Sequence, residues 1–169
     1  PDSIAVREPI GRDLSATIDK IADYCDRHVV AVLVSGDPGI FSLSRLVIKR
    51  YGKDACQVIP GISSAQVAFA RLGLDWSDAC MISAHKEIPD LDLRQLFERC
   101  RKIAIFVGGE STAPWIASSF RTSHMKPLAV VCQNLTLSDE RLATMEVSEL
   151  ESHQFDSSSI IILLDRELQ

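Results

Sequence analysis

Two stretches carry the strongest structural signal in this chain: VLVSGDPGIF at residues 32–41 and VIPGISSAQ at residues 58–66. Each joins an apolar run to a short polar turn, and a helix-like segment follows. Repeated strand–turn–helix units are typical of α/β folds with a parallel sheet, in which the turns after the strands gather at one edge. Open α/β sheets bind small molecules at that edge. The pattern therefore predicts an α/β fold with a ligand site in these turns.

Hydrophobic periodicity extends this interpretation along the chain. Helices are expected at Asp13–Arg27, Ser42–Tyr51, Ser63–Leu72, Asp90–Arg101 and Ser111–Phe120. Strands are expected at Val29–Val34, Cys56–Ile59, Ala79–Ser83, Ile103–Val107, Leu128–Cys132, Glu140–Val147 and Ile160–Leu164. A new β/α series begins after Gly73, which favours two consecutive α/β domains, residues 1–78 and 79–169.

Composition excludes several classes of function. The chain has 169 residues, of which 46% are hydrophobic, so it can bury a real core and is not expected to be disordered. Its net charge is −5 and it has no basic block, which disfavours a nucleic-acid partner. We find no signal peptide and no apolar run near the roughly 20 residues that span a bilayer.

The cysteine pattern favours a reducing compartment. Five cysteines are present, none in a CxxC motif, and their number is odd. Both a zinc site and a disulfide framework are therefore disfavoured. Buried free thiols in the cytoplasm are the expectation.

The two turns offer candidate ligand contacts, each with a purely structural alternative. Backbone amides around Ser35 and Gly36 and the Asp37 carboxylate could hold a polar ligand group, or the segment could be a plain strand-to-helix turn. Ser63 and Ser64 could bind a ligand or simply cap the following helix. Two such turns at one sheet edge favour a shared pocket over either alternative alone.

His85 is the candidate for proton transfer. It follows the strand Ala79–Ser83, and a histidine at a strand end can act as a general base or can simply be a surface residue. The turn 108–111 (GGES) and the pair Gln133-Asn134 are compatible with ordinary turn chemistry. We find no GxGxxG, Walker, GxSxG or HExxH motif, and no metal-binding residues are expected.

The motifs VSGDPG at 34–39 and IPGISSAQ at 59–66 resemble those of the tetrapyrrole (corrin/porphyrin) methylases. The continuation QVAFARLGL at 66–74, with Trp76 and Ser83–His85, looks most like the precorrin-6Y (5,15)-methyltransferase branch, in its carbon-5-methylating part. The resemblance runs from about Val32 to Leu164. It implies a fold of two α/β domains with a cofactor cleft between them and S-adenosylmethionine as the methyl donor.

The resemblance also implies roles for individual residues. It assigns cofactor binding to Ser35, Gly36, Asp37, Ile40, Ser63, Ser64, Val107 and Ala129 and directs His85 toward the macrocycle. It implies a precorrin or cobalt-precorrin substrate, whose carboxylates Arg45, Arg71 or Lys86 could meet. It further implies a homodimer and a possible partner, the decarboxylating carbon-15 methyltransferase subunit.

The sequence departs from the family pattern at three places. The family opens with a strand and a GxGPGD-like turn, which are absent here, so a first strand–helix unit is expected to be missing. Phe41-Ser42 replaces the usual aromatic–glycine pair, and Lys86 stands where a glycine often follows the histidine.

Two alternatives to a carbon-5 methyltransferase therefore stay open. One is a related methylase acting on another ring carbon, on rRNA ribose or on a translation factor. The other is a non-catalytic module that assembles with a partner methylase.

Overall fold

The final apolar run, Ile160–Leu164 (β5), lies inside a five-stranded sheet. This computed structural model describes residues 6–11, 13–153 and 158–168. The other strands are Cys80–Ala84 (β1), Lys102–Val107 (β2), Leu128–Gln133 (β3) and Arg141–Glu146 (β4), in the order β1-β2-β5-β3-β4. Every residue of β5 is buried, as its continuous apolar run predicts for a strand covered on both faces.

The sheet is mixed, so the prediction of a parallel sheet is wrong in part. β1 and β2 are parallel, whereas β5 runs antiparallel to both β2 and β3, and β4 runs antiparallel to β3. A helical crossover sets the direction of β2, but β5 returns from the far end of the chain and inserts between β2 and β3. β1, β2 and β3 still point the same way, so their carboxyl ends share one edge.

Five α-helices confirm the predicted ones, with shifts of up to three residues at their ends. They are Leu14–Cys25 (α1), Ser44–Tyr51 (α2), Ser64–Leu72 (α3), Leu93–Cys100 (α4) and Thr112–Phe120 (α5). Short 3-10 segments occupy Lys53–Ala55, Val147–Ser152 and Arg166–Leu168. Gly73 ends α3 in the left-handed conformation at φ 66°, as glycine allows without steric conflict.

Apolar layers cover both faces of the sheet. On one face, α4 and α5 pack over alternate strand residues such as Ile105 and Ile161. On the other, α3 contributes Phe69 and two alanines over Ile162 and its neighbours. The period of two along the strands therefore sends successive side chains into different layers.

The chain divides into two compact units, one ending at Gly61 and one beginning at Ile62. The first contains α1 and α2, and the second contains α3 to α5 and the sheet. The domain boundary expected after residue 78 stays a prediction. The α/β class itself is confirmed by the five-stranded sheet with its flanking helices.

In the part of the N-terminal unit that the structure describes, the two expected strands do not form. Val29–Val34 and Cys56–Ile59 belong to no ladder in the described residues, although their apolar character favours burial. Along 29–34 the side chains alternate between exposed and half-buried, and Val29 and Leu33 are largely exposed. A strand needs a hydrogen-bonded neighbour, and none of the described segments pairs with either run.

The cysteine prediction is wrong for one pair. Cys80 in β1 and Cys100 at the end of α4 form a disulfide, with their Cα atoms 6.0 Å apart. The pairing was not visible in the sequence because it depends on how α4 folds back on β1. Cys25, Cys56 and Cys132 are free. Burial raises the pKa of the Cys132 thiol to about 12, so this thiol is unreactive at neutral pH.

Reduction of this disulfide should lower the free energy of unfolding by about 3 kcal/mol, because it frees a loop closed over a separation of 20 residues. The measurement is urea unfolding with and without dithiothreitol. Cys80→Ala is the control, because its stability should not respond to the reductant. Titration of the denatured, unreduced protein should find three thiols. Five thiols would contradict the pairing.

Candidate functional site

The first turn is held together by the carboxylate of Asp37. Its Oδ1 accepts a hydrogen bond from the Gly39 amide at 2.6 Å, and its Oδ2 accepts one from the Gly61 amide at 3.1 Å. The same side chain therefore closes its own turn and ties it to the start of the second turn. This bridging role differs from the ligand contact suggested by the sequence, although a carboxylate has further lone pairs with which to accept.

The two turns approach each other at glycines. Gly36 adopts φ 72°, which favours glycine. A Cβ atom built on Gly61 would lie 2.5 Å from the carbonyl oxygen of Gly36 and 3.3 Å from its carbonyl carbon. Side chains do not tolerate such a distance to backbone atoms, so Gly61 is required for this close approach.

The other predicted residues of the first turn lie near this point. Ser35 is exposed and Ile40 is half-buried, with the Ile40 amide donating to the Asp37 carbonyl at 3.2 Å. The hydroxyl of Ser44 donates to the Pro38 carbonyl and connects the turn to the start of α2. The turn is thus ordered by its own hydrogen bonds.

The serines of the second turn serve the start of α3. The Ser63 hydroxyl accepts the Gln66 amide at 3.2 Å, while the Gln66 side chain accepts the Ser63 amide at 2.8 Å. This reciprocal capping box is the structural alternative weighed above, and it leaves Ser63 only 2% exposed. Ser64 is the half-buried first residue of the helix. Their contact with a cofactor stays a prediction.

His85 lies at the sheet edge where β1 and β2 end. Its Nδ1 is 3.2 Å from the carbonyl oxygen of Val107, the last residue of β2. The ring is attached to an exposed residue immediately after β1. A Cβ atom on Gly108 would overlap the backbone of His85, so these two chain segments are in close contact.

Two predicted cofactor residues are buried within the sheet. Val107 is 3% exposed, with its side chain in the apolar layer and its amide donating to the Ser159 carbonyl at 3.2 Å. Ala129 is fully buried inside β3. At the end of β2, the carbonyl oxygen of Val107 lies next to the His85 ring. Cofactor contacts by these two residues stay predictions.

The structure thus brings together two sets of residues. One is Asp37 with the glycines Gly36 and Gly61, and the other is His85 with Val107 and Gly108. The sequence predicted turns at Gly61 and Gly108 but did not show that each of these two glycines faces remote backbone, because no local signal reveals such a contact. In the part of the chain that the structure describes, no group of three His, Cys, Asp or Glu side chains could hold a metal ion.

Hydropathy adds one further observation. Within the residues described, no helix is both long enough and apolar enough to cross a membrane.

The sequence matches the family model of the Tetrapyrrole (Corrin/Porphyrin) Methylases over residues 1–151. Among curated proteins, it is 28% identical over 161 residues to the cobalt-precorrin-7 C(5)-methyltransferase of Salmonella typhimurium. That match covers 95% of this chain and 78% of the relative.

Two solved structures have similar folds. The precorrin-6Y methylase of cobalamin biosynthesis from Archaeoglobus fulgidus is 25% identical, with a TM-score of 0.66 over 98% of this chain and 76% of that one. Uroporphyrin-III C-methyltransferase from Thermus thermophilus, solved with S-adenosylhomocysteine, has a TM-score of 0.73 at 19% identity. The superposition with the Thermus protein covers 93% of this chain and 75% of the Thermus chain.

Proposed function

Because the chain belongs to the tetrapyrrole (corrin/porphyrin) methylases, we propose that it methylates carbon 5 of a cobalt-precorrin or precorrin in cobalamin biosynthesis. The observation that carries the proposal is its similarity to a cobalt-precorrin-7 C(5)-methyltransferase along 95% of its length. The methyl donor is S-adenosylmethionine, in keeping with the S-adenosylhomocysteine bound to the Thermus relative.

The glycine turns fit a cofactor of this kind. At Gly61 the close approach to Gly36 leaves no room for a side chain, and Asp37 orders the backbone on both sides of the contact. Such turns present backbone amides and carbonyls at fixed positions without blocking a ligand. In the N-terminal unit, Ser35, Gly36, Asp37 and Ile40 would hold the cofactor. In the C-terminal unit, the residues proposed to contact the cofactor are Ser63, Ser64, Val107 and Ala129.

S-adenosylmethionine supplies an electrophilic methyl group, and the reduced macrocycle supplies an electron-rich carbon. The protein therefore has to orient the reacting atoms about 3 Å apart and exclude water. A catalytic triad or a metal ion is unnecessary for such a displacement. The chain provides ordered turns, together with His85 as the group that can take up a proton.

Three basic residues are the candidates to meet the carboxylates of the macrocycle. Arg71 is already paired with Glu140, with Nε 2.6 Å from Oε1. Lys86 is exposed and adjacent to His85, which makes it the better candidate in the C-terminal unit. Arg45, which is also exposed, remains a candidate in the N-terminal unit.

The proposal extends to the type of methyltransferase, its assembly and its location. We assign the chain to the precorrin-6Y (5,15) type, with the carbon-15 activity on a partner subunit, and expect it to form a homodimer. The cytoplasmic location expected from the cysteine pattern stays a prediction. The Cys80–Cys100 disulfide weighs against that location, since disulfides persist mainly in oxidising compartments.

The test is a transfer assay with radiolabelled S-adenosylmethionine and two macrocycles, one with a free carbon 5 and one already methylated there. Label should enter only the first. Transfer to both macrocycles would overturn the assignment in favour of another ring carbon. Calorimetric binding of S-adenosylhomocysteine without any transfer would instead favour the non-catalytic module.

Asp37→Ala should weaken binding of S-adenosylhomocysteine about tenfold, because two backbone amides lose their acceptor and the turns loosen. Asp37→Asn keeps one acceptor oxygen and should have an intermediate effect. Isothermal titration calorimetry measures both, with the exposed Asp54→Ala as the matched control. Unchanged affinity in folded Asp37→Ala would remove this residue from the cofactor site.

A further inference from the structure

The contact between His85 and Gly108 follows from the register of the sheet. β1 and β2 are parallel and pair Ala84 with Val107, so the next residues, His85 and Gly108, leave the sheet side by side. A Cβ atom on Gly108 would collide with the His85 carbonyl group and Cα. Gly108 has no positive φ, so glycine is needed here for space and not for conformation.

The hydrogen bond of the His85 ring has only one possible direction. The Val107 carbonyl oxygen can only accept, so the contact at 3.2 Å requires a proton on Nδ1. A neutral ring with that proton on Nδ1 carries its lone pair on Nε2. Among the described residues, the structure records no hydrogen bond to Nε2 that would occupy it.

We propose that Gly108 is a positioning residue for His85. By letting the two strand ends touch, it keeps the ring against the Val107 carbonyl in the Nδ1–H form and presents Nε2 as a proton acceptor. The proposal deepens the function proposed above and rests on it for the identity of the reaction. The orientation of the ring is a property of the C-terminal unit alone and can be measured without substrate.

The proton balance of the reaction requires an acceptor, and Nε2 of His85 can serve as one. The macrocycle carbon forms a bond to the methyl carbon with its own electron pair, and the bond from methyl to sulfur breaks with its pair going to sulfur. A proton that the macrocycle then loses moves to Nε2. The imidazolium formed keeps its Nδ1–H bond to Val107, which strengthens because the donor is now charged.

The first experiment uses the unmodified chain labelled with ¹⁵N-histidine. Long-range ¹H–¹⁵N correlation spectra distinguish the two neutral tautomers, and the His85→Asn spectrum assigns the signals. We expect the His85 ring, once neutral, to be protonated at Nδ1. Protonation at Nε2, or the mixture found for a free imidazole, would overturn the proposal.

The second experiment compares Gly108→Ala with Gly109→Ala. The two are adjacent glycines, but a Cβ atom on Gly109 meets no described residue within 4 Å. Gly108→Ala should abolish the tautomer preference and lower kcat about a hundredfold, as expected for a misplacement of about 1 Å. Its affinity for S-adenosylhomocysteine should fall much less than its kcat, and Gly109→Ala should match the wild type.

The outcomes separate the positioning role from the proposed function. A folded Gly108→Ala protein with the wild-type tautomer and kcat would refute the role of Gly108. If Gly108→Ala does not fold, the wild-type spectrum alone decides whether Val107 sets the tautomer. Absence of carbon-5 methylation in the wild type would refute the proposed function and leave the spectroscopic result standing.

Discussion

His85→Ala should lower kcat for methyl transfer by about 10²–10⁴-fold, the usual contribution of a general base. The variant loses the imidazole ring that the structure places at the carboxyl edge shared by β1 and β2. Affinity for S-adenosylhomocysteine should fall much less than kcat, because the proposed role of His85 is to take up a proton and not to hold the cofactor. The measurement is steady-state methyl transfer together with calorimetry.

Two controls sharpen this prediction. His28→Ala removes an exposed histidine of the N-terminal unit and should leave kcat unchanged. Added imidazole should restore part of the activity of His85→Ala, because it replaces the missing proton acceptor. An equal loss of kcat and of cofactor affinity would show that His85 supports the structure of the site. No loss at all would remove it from the reaction.

Gly61→Ala should weaken binding of S-adenosylhomocysteine by about tenfold to a hundredfold. The new methyl group would lie 2.5 Å from the Gly36 carbonyl oxygen and 3.3 Å from its carbonyl carbon. Both are backbone atoms that cannot rotate away, so the turn has to move. Overpacking of this kind costs about 1–3 kcal/mol, and each 1.4 kcal/mol changes affinity tenfold.

Gly11→Ala is the matched control in the same unit, because among the described residues its Cβ atom would meet only the Thr17 hydroxyl, at an ordinary 3.5 Å. Thermal unfolding should show that both variants fold, and calorimetry should separate them. Wild-type affinity in folded Gly61→Ala would mean that the cofactor does not depend on the turn at residues 35–40. That result would also refute the cofactor role proposed for Asp37.

The local features of the fold were predictable because their causes lie within a few residues. The capping box that begins α3 needs only Ser63 and Gln66. The end of the same helix needs only Gly73. β5 was predicted at its observed bounds because five consecutive large apolar residues are typical of a strand buried on both faces. The turn motifs that place the chain in its family are equally local.

The sequence by itself determined the helices, the strands of the C-terminal unit, the candidate residue His85 and the family. Only the tertiary structure decided that β5 inserts antiparallel, that Val29–Val34 has no partner strand among the described residues and that Cys80 meets Cys100. It also decided that Gly61 and Gly108 face remote backbone. The physical reason is common to all of these. Capping and periodicity act between neighbours in the chain, whereas strand pairing, disulfide formation and close backbone approach depend on segments that the sequence separates by 20 residues or more.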